Sequence, residues 1–168
     1  AFGEHLASAL RTEHPDARVI GLRFGWVYGE GRTRGWNEIQ DTITGFALER
    51  AEVRYPEYPE PLDWTHVDDA SAAVVACLDR APASVGIYDV AGDRRPVADA
   101  IHHLRHRFPS VRAVGYAAAM PRSAWASLQG ALLERDTGFR AGISLEDGLD
   151  RTVEAIRRAG GLVHAAGR

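Results

Sequence analysis

Lysine is absent from this 168-residue chain, and all 20 of its basic residues are arginine. No Walker-type phosphate lysine and no Schiff-base lysine can come from these residues. Arginine-only usage fits a GC-rich coding sequence, and a net charge of −3 is too small for salt adaptation. The single cysteine, Cys77, excludes an internal disulfide and a cysteine-based zinc site. It sits in the apolar run from Ala72 to Leu78 and reads as a buried, inert thiol. No apolar run of roughly 18 residues or more occurs, so no membrane span is expected. The N-terminus lacks the positive-then-apolar signal pattern, and the expected location is cytoplasmic. The charge balance leaves no basic footprint for nucleic acid. No Gly-x-Ser-x-Gly elbow is present, so a serine hydrolase has no anchor.

What remains is 45% hydrophobic and 26% charged, the make-up of one globular domain or part of a larger one. Phe2, Leu6, Ala9 and Leu10 repeat at helical spacing, with His14-Pro15 as the stop. The chain opens inside that helix without a cap before it, as a cut chain would. Val19 to Phe24 reads as a strand and Gly29 to Gly35 as a loop. Trp36, Ile39, Ile43, Phe46 and Ala47 mark a helix reaching Arg50.

The run Tyr55 to Pro61 carries Pro56, Pro59 and Pro61, so it reads as an extended surface loop. It is either a connector or the lining of a substrate cleft. Asp63 to Val67 is strand-like, and Asp68 or Asp69 caps a helix to Arg80. Val85 to Val90 is a strand ending at Ala91-Gly92-Asp93, and Pro96 opens a helix through Ile101, Leu104 and Phe108. Val111 to Tyr116 suggests a strand, and Trp125, Leu128 and Leu132 a helix. Ser144 caps the last helix, with Asp147 three positions on. Its apolar stripe is Leu145, Leu149, Val153 and Ile156. Arg157 and Arg158 suit its C-terminal end, and the tail after Gly160-Gly161 is expected to fray. Alternating strands and helices argue an α/β architecture.

Two segments carry most information. Leu22-Arg23-Phe24-Gly25-Trp26-Val27-Tyr28-Gly29-Glu30-Gly31-Arg32 is an apolar strand running into a glycine-rich aromatic turn. Asp63-Trp64-Thr65-His66-Val67-Asp68-Asp69-Ala70 is a second strand breaking into a helix. Here the chain resembles the extended short-chain dehydrogenase/reductases, the NAD-dependent epimerase/dehydratase family, whose members often read LRPGNVYGPG and DFVHVDDVA. Ala1-Phe2-Gly3-Glu4-His5-Leu6 is similar to the run that follows the family's Tyr-x-x-x-Lys pair, and Gly138 to Leu149 is similar to its closing turn and final helix.

The resemblance implies the C-terminal part of a Rossmann-like parallel sheet plus a small substrate-binding lid subdomain. Residues 1–168 would form that portion, with the dinucleotide-binding half absent. It implies a parent enzyme using NAD or NADP as a dehydrogenase, epimerase or dehydratase at a carbohydrate-like hydroxyl, with a homodimer as the family's frequent assembly. The catalytic Tyr-x-x-x-Lys pair would fall just upstream of Ala1. Phe24, Gly25 and Trp26 would stand on the cofactor side, and Trp26, Val27, Tyr28, Arg32 and Trp64 on the substrate side.

Two departures bear on the substrate. Trp26 replaces an asparagine common in nucleotide-sugar enzymes, and Leu62 replaces an arginine that pairs with a diphosphate. A leucine cannot make that bidentate contact. The expected substrate is therefore a small sugar acid, lactone or hydroxy acid rather than a UDP- or dTDP-linked sugar. Glu30 also replaces the usual proline.

Other residues read as structural. Asp68 and Asp69 resemble a carboxylate pair, but neighbours at a strand-to-helix junction diverge. His66 alternates with apolar residues and reads as a packed, hydrogen-bonded histidine. Arg32 and Arg34 read as solvated loop charges that remain available to an anionic substrate. His102 and His106 have zinc-compatible spacing, but no glutamate accompanies them and Arg105 and Arg107 flank them, so a solvated basic helix face is expected.

The rival readings are a non-catalytic binding or regulatory module on the same fold, one half of a split enzyme, and a metal-binding module. If the first half is missing, the Val19–Phe24 strand should lose neighbours and expose an edge.

Overall fold

A computed structural model describes residues 2–32, 37–82, 86–119 and 127–166. The expectations for Arg34, Trp36, Val85 and Trp125 lie outside the described residues. The elements are α1 (Phe2–Glu13), β1 (Gly21–Phe24), β2 (Trp26–Tyr28), α2 (Glu38–Ala47), β3 (Glu52–Glu57), β4 (Leu62–His66), α3 (Val67–Arg80), β5 (Ile87–Val90), β6 (Asp93–Arg95), α4 (Val97–Arg107), β7 (Arg112–Ala117), α5 (Ala131–Thr137) and α6 (Leu145–Ala166).

Three small sheets result. β1 pairs with β5 in parallel, β3 pairs with β7 in parallel, and β4 stands between parallel β2 and antiparallel β6. The α/β architecture with parallel pairing is the expected one. Two apolar cores hold it together. One gathers Tyr28, Trp64, Phe46 and Leu104 with the α6 stripe Leu145, Leu149 and Val153. The other packs Ala73 and Cys77 of α3 and Leu133 of α5 against Tyr88 and Val90 of β5. Burial of each large apolar side chain stabilises by about 1.5–3 kcal/mol before entropy is counted.

Several local expectations change. The strand expected over Val19 to Phe24 begins at Gly21, breaks at Gly25 and resumes as β2 in a different sheet. Tyr55 and Pro56 lie within β3 rather than in a loop. Pro56 is accommodated because β3 has a single strand neighbour among the described residues, and an edge strand has no need of every N–H.

The cap of α3 is His66, whose Nδ1 accepts the Asp68 N–H at 3.2 Å, rather than Asp68 or Asp69. Asp69 instead turns its carboxylate to the N–H groups of Gly142 and Ile143, at 3.3 and 3.0 Å. Leu128 precedes α5 rather than joining it. Ser144 does cap α6, accepting the Asp147 N–H at 3.2 Å, but the helix continues to Ala166. Arg157 accordingly sits within α6, where its Nε donates to the Ala47 carbonyl at 2.9 Å and ties α6 to the end of α2.

Candidate functional site

The site is built where two parallel strands end and the chain changes sheets. β1 ends at Phe24, Gly25 follows, and the next residue already belongs to β2. β5 ends at Val90, and after Ala91-Gly92 the chain enters β6 in the same second sheet. Both crossings lie against β4. A Cβ on Gly25 would overlap the Asp63 carbonyl and stand 2.6 Å from Asp63 Cβ. A Cβ on Gly92 would overlap the Trp64 carbonyl and stand 2.8 Å from Thr65 Oγ1. Only glycine lets the backbone come this close.

Asp63 joins the two crossings. It is 5% exposed, and its Oδ1 accepts the Gly92 N–H at 2.6 Å. Burial pushes its carboxyl pKa up, opposed by that hydrogen bond and by Arg94. Nothing in the one-dimensional pattern marked Asp63 as a joint. The available signal was a carboxylate in a strand whose neighbours are apolar, which demands a buried donor.

The carboxyl ends of β1 and β5 are where open α/β sheets bind ligands. Phe24 is half-buried there, and Gly25 is exposed. Beside the Gly92 crossing opens a cavity of about 490 Å³, bounded by Ala91–Asp93, the start of α5 and the turn Phe139–Ser144. That turn is fastened by Asp69, through Gly142 and Ile143, and by Asp93, which accepts the Leu145 N–H at 3.0 Å.

The other sequence-derived residues spread over this frame unequally. Trp26 is 7% exposed, and the Arg32 guanidinium lies over its ring at 4.1 Å from the centroid. Arg32 also donates to the Val27 carbonyl. Burial lowers the Arg32 pKa, yet a guanidinium stays charged in proteins. Val27 is half-buried between these neighbours.

Tyr28 and Trp64, each 1% exposed, stand edge-to-face at 5.5 Å. Trp64 Nε1 donates to the Arg95 carbonyl at 2.9 Å. The Tyr28 hydroxyl faces the Leu145 carbonyl at 3.5 Å, the outer limit of a hydrogen bond. Burial, reinforced by Asp93 and Asp69, raises the Tyr28 pKa well above its ordinary value. Its hydroxyl therefore stays protonated and is unsuited to general-base work. Leu62 is 1% exposed within the core. His66 is packed edge-to-face on Tyr28 at 5.4 Å, and burial lowers its pKa despite Asp68 at 3.4 Å.

Phe24 ends β1, and Gly25 is the crossing that follows it. The backbone there is open, Gly25 carries no side chain, and its position is locked from behind by Asp63. Among the described residues no group of His, Cys, Asp and Glu is placed to hold a metal. Among them, too, no helix is long and apolar enough to cross a membrane.

No protein-family model matches the chain, and no curated protein matches it. Solved structures do. A UDP-glucuronic acid 4-epimerase from Bacillus cereus, in complex with UDP-glucuronic acid and NAD, superposes with a TM-score of 0.76 at 19% identity. The match covers 94% of this chain and 50% of that one. An NAD-dependent NDP-hexosamine 5,6-dehydratase, TunA, involved in tunicamycin biosynthesis, gives 0.74 at 24% identity, over 92% of this chain and 51% of that one. A GalE-like L-threonine dehydrogenase from Cupriavidus necator gives 0.73 at 17% identity, over 90% and 58%. The chain thus spans about half the length of the structures it matches, and over that half it has the Rossmann-like fold that NAD-dependent epimerases, dehydratases and dehydrogenases share.

Proposed function

We propose that this chain is the substrate-facing portion of an NAD(P)-dependent oxidoreductase of the extended short-chain dehydrogenase/reductase family, working as a dehydrogenase, epimerase or dehydratase. The observation that carries the reading is the glycine crossing at Gly25. An open backbone at the carboxyl end of a parallel strand is clamped from behind by Asp63, in a fold shared with NAD-linked enzymes. Phe24 and Gly25 would lie along the nicotinamide, which when bound supplies the hydride acceptor. Trp26 follows Gly25 directly, and the Arg32 guanidinium lies over its ring.

Arg32 is the residue best suited to meet an anionic substrate group, because a guanidinium presents a planar fork to a carboxylate. Trp26 and the buried Leu62 remove the amide and the charge that the family uses on nucleotide diphosphates. The substrate is therefore a small carbohydrate or hydroxy acid. Tyr28 and Trp64 act from the core, holding β2 and β4 in register. The proton-handling Tyr-x-x-x-Lys pair would be supplied from outside these residues, which contain no lysine. The assembled enzyme works in the cytoplasm.

The test compares this chain with the same polypeptide extended upstream along its own reading frame. NADH binding is followed by fluorescence and hydride transfer by absorbance, with free sugar acids and hydroxy acids as substrates. Binding and turnover by the extended polypeptide alone support the reading. Turnover by the chain unaided, or an upstream frame without a tyrosine and lysine in the expected register, defeats it.

A further inference from the structure

A second feature lies away from the strand ends, on the face where the later half of α4 approaches the beginning of β7. A groove of about 890 Å³ runs there, with Tyr55 of β3 along it. Its rim carries His102, Arg105 and His106 from α4 and Arg112, the first residue of β7. No carboxylate lines it, in a chain whose net charge is −3. Arginines at the end of α4 complement the helix dipole. That accounts for Arg105 and His106, but not for His102 a turn earlier, for Arg112 on a strand, or for the groove between them.

The charges are free to act. Among the described residues, His102, Arg105 and His106 make no ion pair or hydrogen bond. Arg112 faces Glu52 of β3 at 3.4 Å, with 75% and 48% of the two side chains exposed. An exposed pair of this kind holds its partners weakly. The neighbouring basic residues of α4 are committed elsewhere: His103 and Arg107 both turn to Asp150 on α6, and Arg107 also reaches Glu154. α4 therefore divides its basic residues between a neutralised face on α6 and an uncompensated face on the groove.

We propose that this groove binds a phosphorylated small molecule of about nucleotide size. The guanidinium groups of Arg105 and Arg112 take the phosphate oxygens through bidentate contacts, and the ring N–H groups of His102 and His106 add hydrogen-bond donors along the rim. The volume exceeds what a lone phosphate needs and lies within the range of small-molecule sites. Tyr55 supplies the one aromatic surface along the groove, for the body of the ligand. The site depends on neither the hydride-transfer reading nor the residues that support it.

Inorganic pyrophosphate is the probe, titrated calorimetrically into the chain. The expected result is saturable binding that weakens as salt is added. Arg105→Gln with Arg112→Gln should weaken it about tenfold or more, while the melting transition stays in place. Should that double variant fail to fold, His102→Ala with His106→Ala, which removes the two rim donors, is expected to weaken binding severalfold. Absence of binding, equal affinity in the folded arginine variant, or equal affinity in the histidine variant would each overturn the proposal.

Discussion

Gly25 and Asp63 occupy one another's space so closely that a methyl on the glycine would lie 2.6 Å from the aspartate β-carbon. The contact is between two backbones. Asp63 sits on β4, and Gly25 is the residue at which the chain leaves the β1–β5 pair for the sheet that β4 centres. A side chain at Gly25 would have to push the central strand of that sheet. Gly25→Ala is therefore expected to destabilise by about 1–3 kcal/mol or more, the usual cost of overpacking. Gly92→Ala, which meets the Trp64 carbonyl, should do the same. Equilibrium denaturation in urea measures both. A loss within a few tenths of a kcal/mol for either variant would contradict the close approach.

Asp63 should tell charge from shape. Asp63→Asn keeps an acceptor for the Gly92 N–H and removes a buried charge, so it is expected to leave stability near that of the parent chain. Asp63→Ala strands the buried N–H, and the expected cost is about 1–3 kcal/mol. Because the folded carboxyl pKa is raised, its ionisation opposes folding as pH climbs past the unfolded value. The Asn variant should therefore gain on the parent as pH rises through that region, and paired denaturation curves across pH check the ranking.

His66 gives the opposite slope. Its folded pKa lies below the unfolded value of 6.5, so protonation favours the unfolded chain. The stability it confers is present above that unfolded value and is lost as the pH falls through the folded one. His66→Asn can still accept at the α3 cap without titrating. The melting temperature of the parent should fall more steeply than that of the variant from about pH 7 to about pH 5. Parallel slopes would remove His66 from the account.

Gly148 and Tyr28 should be coupled. A methyl on Gly148 would overlap the Tyr28 hydroxyl and come within 2.8 Å of its Cζ. Tyr28→Phe alone removes one long hydrogen bond and should cost about 1 kcal/mol or less. Gly148→Ala should cost about 1–3 kcal/mol. Combined, they are expected to cost less than their sum, because removing the hydroxyl makes room for the methyl. Additive losses in the double-mutant cycle would mean that the two residues do not share this space.

The alternation of apolar runs and helical stripes made the α/β class legible, and the α6 stripe Leu145, Leu149 and Val153 is buried as its spacing required. The three-sheet arrangement was not. Whether Phe24 and Trp26 continue one strand or begin another depends on which backbone lies beside Gly25, a contact about forty residues distant in the chain. Pro56 misdirected the reading of β3 for the converse reason, since edge position is a tertiary fact. Tyr28 and Trp64 carried the family resemblance through their identity, and both are buried, each 1% exposed. His66 is packed and hydrogen-bonded as its apolar neighbours implied, and it also takes the cap expected of Asp68 or Asp69.

β1 has β5 on one side and, among the described residues, no strand on the other. A row of backbone donors and acceptors is therefore offered sideways from Gly21 to Phe24, ending at the Gly25 crossing. Whatever strand docks there is registered against the same four residues that set the height of Gly25. A partner strand fitted to that flank would thus be held at one fixed height relative to Gly25, much as a ruler's edge fixes where the next mark must fall.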